Sequence, residues 1–272
     1  MLPHNFIQLN NIYKSFGALN VLNGVNLSVQ CGETVVVIGQ SGVGKSVMLR
    51  LILRLLDPDE GEVLWNGKNI AHMGEKELEE MRSHFAMLFQ SGALFDSLTV
   101  EENVTFNHQI KGERNAKKLS EIAETHLRSV GLSENIFPDM KEKLPSMLSG
   151  GQRKRVALAR ALAMEPDIIL YDEPTTGLDP IMSDAIADLI ISTRERLKHR
   201  QFTSIVVTHD MHVALKVASR IIMLHDGNII YDAPPKEYCR IRDSEEKILS
   251  ENELCIRQFV LGLADGPIRC VR

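Results

Sequence analysis

No apolar run in this 272-residue sequence approaches the length needed to cross a bilayer. Stretches such as Val35 to Ile38 and Ile168 to Tyr171 fall far below the roughly 18 to 20 residues that a spanning helix requires. Any membrane role must therefore come through a partner. The opening residues Met1-Leu2-Pro3-His4-Asn5 lack the basic-then-apolar pattern of a secretory signal. Cysteine is sparse: Cys31, Cys239, Cys255 and Cys270 form no CxxC pair and no regular spacing. That pattern indicates neither a zinc site nor a disulfide framework, and a reducing cytosol is expected. Positive charge is not in surplus either. A formal net charge of -5 gives no broad field for nucleic-acid phosphates, so no nucleic-acid partner is expected and any polyphosphate must be held locally. Internal repeats and low-complexity segments are absent.

What is present is enough apolar residue, 44%, to bury one large domain or a domain carrying a smaller insert. Alternation at Val25, Leu27 and Val29, a turn at Gly32 and the run Val35 to Ile38 read as strands. From Lys45 the apolar spacing turns helical through Met48, Leu49, Ile52 and Leu56, with Asp57-Pro58 as the stop. Asn66-Gly67 between Glu62–Trp65 and Lys68–Ile70 predicts a tight hairpin and a small antiparallel sheet. Residues 98 to 147 are charged and mostly helical, with Thr99 and Glu102 as a capping box. Strands at Asp167–Tyr171 and Thr203–Val207 follow, with a helix from Pro180 to Leu197, capped by Asp179, and a hairpin at Asp226-Gly227. Strands alternating with helices imply a parallel sheet covered on both faces. A charged helical extension closes the chain from Pro234.

Gly39-Gln40-Ser41-Gly42-Val43-Gly44-Lys45-Ser46 fits G-x-x-x-x-G-K-S, after a buried strand and at a helix start. Glycines let backbone N–H groups converge on phosphate oxygens, and the helix start adds partial positive charge. Lys45 can reach the β- and γ-phosphates and Ser46 can ligate Mg²⁺. The apolar strand Ile168 to Tyr171 runs into two carboxylates at the edge where parallel sheets place ligands. Asp172 suits the Mg²⁺ shell, and Glu173, turned another way, is the candidate to polarise an attacking water. These two elements are common to kinases, GTPases, helicases and motors, so they do not fix the function. A second anion site does more. Ser149 and Gln152 fit a capping box, and Gly150-Gly151 bares the helix start between them.

Leu148-Ser149-Gly150-Gly151-Gln152 is also the signature of the ABC ATPase family, which the chain resembles from about Phe6 to Tyr231. That resemblance implies an α/β fold: a RecA-like P-loop NTPase core with a mostly parallel sheet, a small antiparallel β-subdomain and an inserted α-helical subdomain. The expected division is an ABC ATPase domain over 1–236, with core segments 1–90 and 150–236 and helical subdomain 91–149, then a C-terminal helical extension over 237–272. Tyr13 resembles the adenine-stacking aromatic, and Gln90 the glutamine that touches Mg²⁺. Gly177-Leu178-Asp179 resembles the loop that crosses to the partner subunit, and His209 the switch histidine on the γ-phosphate. His209 with His212 could alternatively suggest a metal pair.

The implied cofactors are ATP and Mg²⁺. Each ATP is held between the phosphate loop of one copy and the signature helix of a second, so the working unit is a homodimer. The implied partner is an integral membrane permease, gripped through Ser91 to Val104, where Leu94, Phe95 and Leu98 either receive its helix or pack their own subdomain. The expected location is the cytoplasmic face of the inner membrane. The 91–104 segment, Leu144 to Gly151 and Leu263 to Ile268 resemble the ATPases of Mla and Mce phospholipid transport systems, although Gln152 stands where those often carry methionine. A lipid-binding substrate protein and a small regulatory subunit are then further expected partners. Competing readings are an ABC ATPase for another cargo, such as an amino acid or a drug, and a soluble ABC ATPase. A small-molecule kinase would have no use for the signature segment.

Overall fold

The computed structural model describes residues 6–135 and 139–268; the first five residues and the last four of the expected extension lie outside them. The chain begins with β1 (Ile7–Phe16), β2 (Leu19–Val29), β3 (Thr34–Ile38), α1 (Lys45–Ile52), β4 (Glu60–Trp65) and β5 (Lys68–Asn69). There follow α2 (Glu75–Ser83), β6 (Phe85–Leu88), α3 (Val100–Ile110), α4 (Ala116–Ser129) and α5 (Gly150–Ala163). The remainder is β7 (Ile168–Asp172), α6 (Pro180–Leu197), β8 (Thr203–Val207), α7 (Met211–Val217), β9 (Arg220–His225), β10 (Asn228–Ala233), α8 (Pro235–Asp243) and α9 (Glu251–Leu261). Two compact units result, one from residues 1–78 with 203–272 and one from 79–202.

In the first unit β1 pairs antiparallel with β2 and β4, and β5 closes the sheet order β2-β1-β4-β5. Asn66 and Gly67 both adopt positive φ, the geometry of the expected tight hairpin. The predicted small antiparallel sheet is thus larger than its hairpin, because β1 joins it along most of its length. The other strands run in the order β10-β9-β3-β8, with β3 parallel to both β8 and β9. Every residue of β3 and β8 is buried, as a strand covered on both faces requires; this is why their sequences lack alternation.

The first helix is shorter than its apolar spacing predicts. It stops at Ile52, before Leu56 and the Asp57-Pro58 pair. Arg54 takes φ 50°, its N–H donates to the Leu51 carbonyl at 3.0 Å, and the Leu55 N–H donates to the Arg50 carbonyl at 2.8 Å. This is a Schellman closure, here on arginine rather than glycine. The Arg54 guanidinium offsets the strain by donating to the carbonyls of Ile70 (3.0 Å) and Met73 (3.1 Å). The tail docks on its own unit: buried Tyr238 of α8 donates to the Ile221 carbonyl at 3.1 Å, and Asn252 of α9 to the Ile230 carbonyl at 3.0 Å.

In the second unit β6 lies parallel to β7, Leu88 opposite Tyr171. Buried faces of α3, α4 and α5 form its helical part. The Thr99–Glu102 capping box forms. Asn103, fully buried, accepts from the Phe95 N–H and donates to the carbonyls of Phe95, Leu98 and Thr99, fixing the segment that follows Gln90. Among the described residues no helix is long and apolar enough to cross a membrane.

Candidate functional site

The phosphate loop is built by exclusion of side chains. Buried β3 delivers the chain to Gly39, whose φ of 150° leaves a hypothetical Cβ 2.3 Å from the Leu224 carbonyl oxygen of β9. Gly44, the N-cap of α1 at φ 103°, would place a Cβ 2.8 Å from Leu22 and 3.0 Å from the Val21 carbonyl of β2. Gly42 has positive φ but open space around it. Close backbone approach therefore dictates glycine at 39 and 44, and the first turn of a helix has no intrahelical acceptors for its N–H groups. Lys45, 5% exposed, donates from Nζ to the carbonyls of Gly39 (2.8 Å) and Gln40 (2.9 Å), bracing the cradle from within. Ser46 follows in the same first turn, half-buried, and Gln40, Ser41 and Val43 complete the loop.

The same edge carries His209. Val37 is the register partner of Val207, the Thr208 N–H donates to the Val37 carbonyl at 3.1 Å, and exposed His209 follows. Asp210 caps α7 through the N–H groups of His212 and Val213. Among the described residues no three His, Cys, Asp or Glu side chains gather in a way that could hold a metal ion. Tyr13 lies on β1 opposite Asn23, and a Cβ at Gly24 would sit 2.9 Å from its hydroxyl, so its ring lies across the neighbouring strand. A second aromatic stands nearby in the same strand: Phe16, at the end of β1, is 47% exposed with the Lys14 ammonium 5.6 Å from its ring. The signal was available, since both aromatics sit in one strand.

In the second unit β7 ends in buried Asp172, followed by Glu173. Glu173 adopts φ 49°, a left-handed conformation that costs a non-glycine residue about 1–3 kcal/mol. Its carboxylate accepts from the Thr176 hydroxyl at 3.2 Å. Because Leu88 faces Tyr171 across the parallel pair, exposed Gln90 leaves β6 at the same edge where Asp172 and Glu173 leave β7.

The signature segment opens α5 as predicted. Ser149 Oγ accepts from the Gln152 N–H at 3.2 Å and the Gln152 side-chain oxygen accepts from the Ser149 N–H at 3.0 Å. Gly150 and Gly151 form the first turn between them, and Ser149 is exposed. Gly151 is buried, with no room for a Cβ beside Met182 of α6 (2.3 Å), and Leu178 lies beside Gly150. Exposed Asp179 caps α6 through the N–H groups of Ile181 and Met182, both 3.0 Å. Lys154 belongs to none of the sequence motifs. It is 6% exposed, and its Nζ donates to the carbonyls of Pro174 (2.7 Å), Thr176 (2.8 Å) and Glu173 (3.4 Å). Burial pushes this ammonium down to about 8, against the pull of the Glu173 charge. The spacing could have exposed it: Lys154 shares the buried face of α5 with Ala157, Leu158 and Ala161.

The model of the ABC transporter family matches residues 22–176, from β2 through the loop after Glu173. The chain belongs to the ABC transporter family. Within that family it is 36% identical, over 98% of its length and 95% of the relative's, to the intermembrane phospholipid transport system ATP-binding protein MlaF of Haemophilus influenzae. It is 38% identical, over 85% of its length and 92% of the relative's, to the glutamate transport ATP-binding protein GluA of Corynebacterium efficiens. Among solved structures, the dimeric ATP-binding cassette MJ0796 in a post-hydrolysis state bound to ADP and phosphate is 35% identical, with a TM-score of 0.74, covering 84% of this chain and 98% of that one. The chain is therefore an ABC-type ATPase with the α/β cassette fold expected from its sequence, a mostly parallel sheet beside an antiparallel one.

The two crowded glycines separate packing from conformation. Gly39→Ala must displace backbone as well as adopt an unfavourable φ, and should cost about 2 kcal/mol or more. Gly42→Ala meets only the conformational penalty, about 1 kcal/mol. Urea denaturation of both variants checks the order.

Proposed function

We propose that this chain is the ATP-hydrolysing subunit of a transporter, pairing with a second copy around ATP and Mg²⁺ to drive an integral membrane permease, with phospholipid as cargo. The observation that carries the reading is the start of α5. A helix start with exposed Ser149 and half-buried Gly150, which spends Ser149 and Gln152 on each other, is an anion site, in a chain that already owns a phosphate loop. One copy supplies the cradle and the other the capped helix, and the ABC family relatives with dimeric cassettes support that pairing.

In this reading Gly39 to Ser46 wrap the β- and γ-phosphates, with Lys45 facing them. Ser46, Asp172 and Gln90 offer hard oxygen donors that suit Mg²⁺, which when bound neutralises charge on the phosphate oxygens. Glu173, with its carboxylate oriented by the Thr176 hydroxyl, polarises the attacking water. His209 contacts the γ-phosphate, and Asp179 sits in the loop that crosses to the second copy. Ser149, Gly150, Gly151 and Gln152 of that copy complete the site. Closing it excludes water and aligns fixed charge, and phosphate release lets the copies part. Residues 91–149 act as the inserted helical subdomain and 237–272 as the extension.

The permease is placed after Gln90. There Phe95 is 43% exposed yet stacks on Phe106 at 4.4 Å between ring centroids, with the Arg160 guanidinium 5.4 Å from its ring and donating to the Gly92 carbonyl at 3.2 Å. Its inner face serves the subdomain and its outer face remains for a permease helix. Such a partner places the chain at the cytoplasmic face of the inner membrane; a lipid-binding substrate protein and a small regulatory subunit complete the assembly. Phospholipid is favoured over an amino acid because the match to the phospholipid-system relative extends through the tail, over 98% of this chain, whereas the glutamate-system match covers 85%. Lipid exchange between membranes reconstituted with the cognate permease separates the two cargos.

Glu173→Gln should bind ATP with unchanged affinity, lose hydrolysis by about 100-fold or more, and accumulate as an ATP-dependent dimer in light scattering; unchanged turnover removes Glu173 from its role. Ser149→Arg should bind ATP as a monomer and fail to hydrolyse it, and normal hydrolysis would show that the site is complete within one copy. The adenine contact is assigned by titrating ATP against Tyr13→Ala and Phe16→Ala: the stacking residue loses roughly ten-fold in affinity, the other about two-fold or less.

A further inference from the structure

Lys154 has a geometry that its place in the helix does not require. A lysine on the buried face of α5 sits under a desolvation cost that is tolerable only with partners, and it finds them outside its own helix. Its Nζ converges on three carbonyls, those of Glu173, Pro174 and Thr176. Those carbonyls belong to the segment that holds Glu173 in its left-handed conformation and continues into Gly177-Leu178-Asp179. The N–H of Thr176 donates to the Glu173 carbonyl at 3.3 Å, and the N–H of Leu178 to the Thr175 carbonyl at 3.1 Å, so the segment is a pair of linked turns. Lys154 lies only five residues beyond Ser149, on the first turns of α5. The same helix start touches Leu178 and Met182.

We propose that Lys154 is a positioning residue that couples the signature helix to the carboxylate of Glu173, so that movement of the helix start resets the geometry of the water-polarising group. The coupling is local and mechanical. One ammonium spans the helix and the loop, and removing it leaves three carbonyls of a strained turn without their shared donor. On the functional reading given above, on which this rests, the helix start reads the second copy's nucleotide while Glu173 serves the first. Lys154 then links the two sites through the body of a single chain, and each copy senses whether the opposite site is filled.

The full chain carrying Lys154→Gln or Lys154→Met tests this beside Glu173→Gln. Lysine offers three donor hydrogens, glutamine two and methionine none, so turnover should fall in that order. The expected kcat is about three-fold below wild type for Gln and at least ten-fold below for Met, with KM for ATP within two-fold throughout. A change in KM at constant kcat, or a Met variant that turns over at the wild-type rate, overturns the coupling. If the Met variant does not fold, the Gln variant decides alone, and a kcat equal to wild type overturns it. Should Glu173→Gln leave turnover intact, the functional reading falls and the coupling with it. Should Glu173→Gln abolish turnover while both Lys154 variants are unaffected, only the coupling falls.

Discussion

A helix must begin somewhere, and its first turn then points backbone N–H groups at nothing within the helix. The site depends on that constraint. Among the described residues α1 and α5 both begin with glycine in or beside the first turn, and on the proposed function each start receives an oxygen-rich anion. They are held open differently. At α1 the N-cap is Gly44, with no side chain to cap and no room for one beside Val21 and Leu22. At α5 the cap is made by Ser149 and Gln152 satisfying each other, an arrangement whose loss costs about 1 kcal/mol, while the glycines between them stay bare. The first start has the Lys45 ammonium braced against its loop; on the proposed function, the second meets the outer oxygens of a phosphate held by another copy.

Among the positive-φ residues, one stands directly after β7, beside Asp172. Glu173 is held at positive φ, and a conformation of that kind persists only when its surroundings determine it. Here they are the Thr176 hydroxyl on its carboxylate and the Lys154 ammonium on its carbonyl. By contrast, the positive φ at Asn66-Gly67 and at Asp226-Gly227 lies in hairpin turns that ask for it. Glu173 stands at the end of a buried strand, where the linked turns of residues 173–178 and the Lys154 ammonium fix its backbone.

Much of this was legible from local patterns. The runs Val35–Ile38 and Ile168–Tyr171 could only be buried strands, the helix Pro180–Leu197 begins and ends where its cap and spacing place it, and both capping boxes form. The positions of the phosphate loop and of Asp172-Glu173 followed from motif and strand together. What could not be read was decided by contacts distant in sequence. The early end of α1 depends on Arg54 reaching the carbonyls of Ile70 and Met73, which no periodicity of residues 45–56 contains. The core pattern of β1, Ile7, Leu9 and Ile12, loses its alternation where the register becomes irregular beyond Leu9. The spacing of α5 places Lys154 on its buried face, but only the fold reveals the three carbonyls that it meets.

Whether a second copy completes each nucleotide site is the central question for this chain. The most direct measurement is the structure of the Glu173→Gln protein determined with ATP. It should show two copies, with Ser149 and the N–H groups of Gly150 and Gly151 from one within hydrogen-bond distance of the γ-phosphate seated on Gly39 to Ser46 of the other. A triphosphate fully enclosed by one chain, with residues 148 to 152 of every copy remote from it, would contradict the account.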